Sequence, residues 1–170
     1  MKRQFFQPLM VLNIEFDHRP KVGLQKLKDV SICMPFIDIP FSPYKLAISM
    51  FLSEMLGYAT KNEQQNEPLF LFIMESISWL DHAPDRFANF HIVFLMRLTF
   101  FLGFSPNVES GVDGRYFDLE DGCFVPYVPV HRRYLNESDS VRLLNLLRLS
   151  YETMHLYTMS RIDRNRCVEV

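Results

Sequence analysis

The residues that could do chemistry in this chain are few and scattered. Asp81, His82 and Asp85 bring together the side-chain types of general acid–base catalysis. They stand, however, where one helical pattern ends and another begins, and carboxylates and imidazoles in that setting cap helix ends and complement helix dipoles. Cys123 and His131 could supply two metal ligands, but a structural zinc takes four and no second Cys/His pair lies at ligand spacing, so no metal is expected. His91 lies inside an apolar run and reads as a core histidine bonded to a nearby carbonyl rather than as a base. A glycine-rich phosphate loop, GxSxG and HExxH are all absent. A hydrolase centred on Asp81-His82 lacks a nucleophile and a phosphate or metal cradle, so the chain is expected not to be an enzyme and to need no cofactor.

The elements that would position such residues are mostly helical. Phe87 to Pro106 (FANFHIVFLMRLTFFLGFSP) carries one formal charge, Arg97, and ends on Gly103. A helix apolar on nearly every side is a buried helix or a membrane span. Phe87 to Leu102 is short of the ~20 residues a span requires, and Arg97 lies near its centre, so the segment is expected at the middle of a helical bundle. Ser42 and Pro43 open a helix over Tyr44–Thr60, and Asn66 with Pro68 opens another over Leu69–Leu80. These two and Phe87–Leu102 are expected to pack as one bundle, with the Asp81–Asp85 segment capping the central helix.

Before the helices, Leu9 to Phe16 alternates, placing Met10, Leu12, Ile14 and Phe16 on one face of a half-buried strand. A turn at His18–Gly23 leads to a second extended segment over Leu24–Ile32. Two strands do not stand alone. After Pro106, Tyr116–Glu120 and Cys123–Pro126 flank Asp121-Gly122, the chemistry of a two-residue hairpin turn. Ser138 is expected to open a helix over Val141–Leu149, with a last helix from Glu152 onward. Cys33, Cys123 and Cys167 are odd in number and widely spaced, which predicts reduced thiols rather than a disulfide framework.

The net charge of −2 hides an uneven distribution. Residues 1–28 carry Lys2, Arg3, Arg19, Lys21, Lys26 and Lys28 against Glu15 and Asp17, a net +4. Residues 29–131 carry five basic and thirteen acidic groups, while residues 132–170 carry seven arginines against five acids. A polyanion would therefore be met at the two ends of the chain. With 48% hydrophobic residues and sixteen Phe, there is ample material for a core. No basic-then-apolar leader opens the chain, so a cytoplasmic protein without membrane association is expected.

Several segments in the same order resemble the recombination mediator family RecO. They are Phe6-Gln7-Pro8-Leu9-Met10-Val11-Leu12-Asn13-Ile14-Glu15-Phe16, Gly23-Leu24-Gln25-Lys26-Leu27-Lys28-Asp29, Leu52-Ser53-Glu54-Met55-Leu56, Asn89-Phe90-His91 through Leu102-Gly103-Phe104-Ser105-Pro106-Asn107, and Tyr116-Phe117-Asp118-Leu119-Glu120-Asp121-Gly122. The resemblance covers nearly the whole chain. It implies a mainly helical fold with a small β-hairpin over residues 33–170, preceded in residues 1–32 by the residual strands of an OB-fold and a connector. On this comparison the first OB strands and the end of the helical domain are expected to be missing.

Some members of the family carry a zinc site of two CxxC pairs after the Leu-Gly-Phe element. Here Cys123 alone stands in that region, which implies a metal-free hairpin stabilised by Tyr116, Phe124 and Tyr127. The resemblance further implies a DNA repair and recombination mediator that binds single- and double-stranded DNA, anneals strands, contacts the acidic C-terminal tail of single-strand-binding protein, and helps RecR to load RecA. Lys2, Arg3, Arg19, Lys21, Lys26 and Lys28 are the candidate phosphate contacts. Arg86 and Arg97 are the candidates for holding the partner tail. The alternative is a truncated helical protein-interaction module with little DNA binding.

Overall fold

The computed structural model of the chain describes residues 5–21, 23–61, 63–104, 106–108 and 115–169, with no side chain described at position 169. Five α-helices and two small sheets are present among them, in the order β1 (Val11–Phe16), β2 (Leu27–Met34), α1 (Pro43–Ala59), α2 (Glu67–His82), α3 (Phe90–Phe101), β3 (Tyr116–Asp118), β4 (Cys123–Val125), β5 (Tyr134–Leu135), α4 (Glu137–Leu147) and α5 (Arg161–Glu169). The chain divides into two compact units, residues 1–84 and 85–170. None of the described helices is long and apolar enough to cross a membrane.

In the first unit, β1 and β2 form an antiparallel ribbon with Asn13 opposite Ser31 and Ile14 opposite Val30. The alternating pattern produces the strand, but the expected burial of its apolar face does not follow, because Ile14 and Phe16 are exposed. A lone ribbon has no second layer on which to bury that face. Both predicted helices form. Ser42 Oγ accepts from Lys45 N at 3.4 Å to cap α1, and Asn66 Oδ1 accepts from Leu69 N at 3.1 Å to cap α2. Each side chain satisfies an amide that the first helical turn leaves unpaired.

Asp81 does not cap a following helix as expected. It lies within α2, only 3% exposed, and its carboxylate reaches back to the connector between β2 and α1. Oδ2 accepts from Ile37 N at 2.7 Å, while Oδ1 accepts from Asp38 N at 2.9 Å and Ile39 N at 2.8 Å. Beside it, the buried Lys45 ammonium donates to Asp81 O at 2.9 Å and pairs with Asp38 Oδ2 at 2.7 Å. Burial alone would raise the pKa of Asp81. The amides of Ile37, Ile39 and Asp38, with His82 adding a favourable charge, overcome that effect and hold it below the usual value.

In the second unit, α3 begins three residues later than expected. Asn89 holds its N-cap position without capping through its side chain. The Asn89 amide instead donates to Met154 O at 3.0 Å and Tyr157 O at 2.8 Å, tying the start of α3 to the 3₁₀ turn at Met154–Leu156. Phe90, Ile92, Val93, Phe94 and Leu98 are buried, as an uncharged helix requires. Gly103, at φ +82°, ends α3. The bonds Gly103 N to Phe100 O and Phe104 N to Thr99 O close a Schellman cap, whose left-handed residue costs glycine little.

The second sheet has the order β4-β3-β5, and β5 was not foreseen. A pairing two residues long leaves almost no period in the sequence. The β3–β4 connection is also longer than expected. Asp118 faces Cys123 in the ladder, so the loop is Leu119–Gly122 rather than Asp121-Gly122 alone. Asp118 Oδ1 accepts from Glu120 N and Asp121 N, and Gly122 takes φ +64°, so a side-chain turn replaces the two-residue one. Asn107 clasps the outer strand: its side chain accepts from Phe124 N at 2.6 Å and donates to Phe124 O at 3.1 Å.

The hairpin packs through Phe117 and Phe124, edge to face at 4.8 Å, and through Tyr116 against Tyr134 at 5.9 Å. Tyr127, expected in this cluster, is exposed. Helix α4 starts earlier than expected because Asn136, not Ser138, is its cap, accepting from Asp139 N at 3.0 Å. The segment after Glu152 contains the 3₁₀ turn before α5 begins. Ile92, Leu146 and Met159 form a core, with Met96, Leu149, Tyr157 and Cys167 packed around it.

Candidate functional site

A cavity of about 450 Å³ lies within the second unit. Helix α3 contributes Met96, β3 contributes Phe117, and α4 contributes Leu143 and Leu146. The spacing of Leu143, Leu146 and Leu147 turns a leucine-rich face of α4 inward, and Arg142 lies beside it on the same helix. Arg166 and Cys167 of α5 complete one side, and Asp121 and Asp139 add acidic groups to the lining. An apolar cavity with a few charged groups is the usual architecture of a small ligand or peptide-end site.

The two arginines are already engaged. Arg166 Nη2 donates to Asp139 Oδ2 at 2.8 Å, and Arg142 Nη1 stands 3.7 Å from Asp163 Oδ1. Each pair joins α4 to α5, with the cation on opposite helices in the two cases. Asp163 also closes the start of α5, accepting from Ser160 N and Ser160 Oγ. These Ser160 bonds, followed by the charges of Arg142 and Arg166, hold the Asp163 carboxyl below its usual range. Burial pushes the Cys167 thiol up, so it lines the cavity as a neutral thiol.

The expected partner-tail arginines lie elsewhere. Arg86 adopts φ +61° and stands 3.7 Å from Asp85, both side chains well exposed. Arg97 sits over the Tyr151 ring at 5.4 Å, and that ring in turn stacks on Phe90 at 4.9 Å. Neither lines the cavity. Arg142 and Arg166 were not singled out from the sequence; the signal that could have found them was the arginine-rich last third, read together with the leucine spacing of α4.

Of the expected phosphate contacts, Lys2 and Arg3 lie outside the described residues. Arg19, Lys21, Lys26 and Lys28 are all exposed and belong to the β1–β2 ribbon or its loop. Gln25 fixes that loop, accepting from Arg19 N at 2.8 Å and donating to Arg19 O at 3.1 Å. Lys28 pairs with Asp17 at 2.7 Å, so its charge is partly committed.

The residues that suggested catalysis or metal binding serve other ends. His82 Nδ1 lies 2.8 Å from Ser78 O within its own helix. His131 Nε2 lies 3.1 Å from Asp118 Oδ2, across the hairpin turn. Burial, then Asp121 and Asp118, raise the Cys123 thiol, so it stands as a neutral thiol. Among the described residues no group of three or more His, Cys, Asp or Glu could hold a metal ion. His91 is largely buried, which together with the positive charge of Arg164 lowers its pKa to about 4. The three cysteines are free.

Comparison with known proteins is consistent across the chain. Residues 40–165 match the family model described as "Recombination protein O C terminal". The DNA repair protein RecO of Phocaeicola vulgatus is 44% identical over 170 residues, which is all of this chain and 70% of that protein. That of Bacteroides fragilis is 43% identical over 171 aligned residues, covering all of this chain and 71% of the relative, and that of Flavobacterium johnsoniae is 39% identical over 151, covering 89% and 62%. No solved structure matches the chain. A family match over most of the helical region and a relative this similar along the whole of this chain establish that the chain belongs to the DNA repair protein RecO family.

Proposed function

We propose that this protein is a non-catalytic recombination mediator that holds DNA on its β1–β2 ribbon and the acidic C-terminal tail of single-strand-binding protein in the cavity between α3, α4 and α5. The observation that carries the partner half is the cavity itself, apolar within and flanked by Arg142 and Arg166. Such a site suits an aromatic chain end preceded by carboxylates, the apolar group entering and the acids meeting guanidinium groups. The DNA half rests on family membership and on the exposed cations Arg19, Lys21, Lys26 and Lys28. In this reading residues 1–32 are the closing strands of an OB-fold, and the exposed apolar side chains Ile14 and Phe16 support it. RecR and the loading of RecA complete the proposed pathway.

DNA binding is expected to be weak, indifferent to base sequence and steeply salt-dependent, because the ribbon offers cations but few stacking surfaces. Reversing charge at Lys26 and Lys28 should weaken binding of a single-stranded oligonucleotide and flatten its logarithmic salt dependence by about one per lysine. Reversal at Glu63 and Glu67 should not weaken it. Unchanged affinity in the lysine variant would remove the ribbon from the DNA surface and favour the protein-interaction module.

For the tail, a labelled acidic peptide ending in Phe should bind the full chain, and Arg142→Ala or Arg166→Ala should weaken it about tenfold, the loss of one charge-assisted hydrogen bond. Arg86→Ala should leave it unchanged. Equal binding by all three variants would place the tail elsewhere.

A further inference from the structure

The arginines that flank the cavity are not waiting empty. Asp139 on α4 holds Arg166 on α5, and Asp163 on α5 faces Arg142 on α4. The two pairs cross between the same two helices beside the same apolar space, which Arg166 and Cys167 of α5 help to enclose. Helix α5 also packs on α3, reaching the core through Cys167, while Ile162 is exposed. A nine-residue helix has small stability of its own, so its position depends on such contacts.

We propose that the crossed Arg142–Asp163 and Arg166–Asp139 pairs form an exchangeable latch that holds α5 against the cavity, and that an acidic peptide opens it by substituting its own carboxylates for Asp139 and Asp163. This rests on the reading of the cavity as an acidic-tail site. The aspartates compete with the ligand for the same two guanidinium groups, so affinity is set by an exchange of partners. A ligand with one carboxylate releases one pair. A ligand with several releases both and frees α5 to move. The latch therefore selects for peptides with clustered acids, and a neutral aromatic peptide leaves α5 where it is.

The test uses the full chain, a labelled peptide with several Asp residues ending in Phe, and amide hydrogen exchange across α5. Asp139→Asn keeps the size of the side chain but releases Arg166, and should tighten the peptide about two- to fivefold, the worth of one partly exposed ion pair. The same variant without peptide should speed exchange in α5, and the swap Asp139→Arg with Arg166→Asp should slow it again. Wild-type protein with saturating acidic peptide should also show faster exchange in α5, whereas a peptide with Asn in place of Asp and an amidated C-terminal Phe should not produce it.

If Arg142→Ala and Arg166→Ala weaken the peptide but Asp139→Asn does not tighten it, the latch is wrong and the tail site stands. If the peptide ignores both arginines, the tail site is wrong. Opening of the latch by an acidic peptide falls with it, and the hold of the two pairs on α5 falls as well if Asp139→Asn leaves α5 as protected as before.

Discussion

Asp81→Ala should lower the stability of the first unit by about 3 kcal/mol or more, read as the shift of its urea unfolding midpoint at constant slope. The carboxylate accepts from three consecutive backbone amides at 2.7, 2.9 and 2.8 Å. Removing it leaves those donors short of a partner in a shielded place, at about 1–3 kcal/mol for each group that water does not reach. It also takes a negative charge from the neighbourhood of Lys45, whose ammonium is 1% exposed. Asp81→Asn retains one acceptor oxygen and should lose roughly half as much. A loss under about 1 kcal/mol for the alanine variant would mean that water or another group takes over the three amides.

The pH dependence follows from the same carboxylate with one sign and from His91 with the matching consequence. Asp81 has a lowered pKa in the folded state, so it contributes stability above its unfolded value of 3.8 that is lost only as pH falls through the folded value. His91 acts earlier. Its folded pKa is about 4 against 6.5, so the unfolded chain takes up a proton first as the solution is acidified. Stability should therefore fall between pH 6.5 and 4 by about 3 kcal/mol, the worth of that interval at 1.36 kcal/mol per pH unit. Replacing His91 by Gln should flatten this part of the stability profile. A wild-type profile already flat from pH 7 to 4.5 would show that His91 is charged in the fold.

Each prediction tests a contact that residue types suggested only in part. Asp81 and His82 are acid–base residue types with no nucleophile beside them, and their place between two helical patterns predicts capping. Capping a following helix is a local act, whereas Asp81 binds amides at positions 37–39, more than forty residues earlier, and no local pattern predicts an acceptor at that separation. Likewise Asn136 rather than Ser138 starts α4: both are acceptable caps, and it is Asn136 Oδ1 that accepts from Asp139 N.

Much of the fold was determined by the sequence itself. The caps at Ser42 and Asn66, the stop at Gly103, and the charge-poor run ending in Leu102 each place a helix by local backbone chemistry, which needs no distant partner. Family membership was legible for a related reason: the order of the matching segments survives without knowledge of their contacts. Tertiary structure alone decided which arginines flank an apolar cavity. Arg86 precedes and Arg97 lies within an apolar helix, yet one faces Asp85 and the other an aromatic ring, while Arg142 and Arg166 flank one cavity because each pairs with an aspartate across α4 and α5. A pocket is a property of surfaces that approach from separate elements, and neither periodicity nor composition encodes that approach.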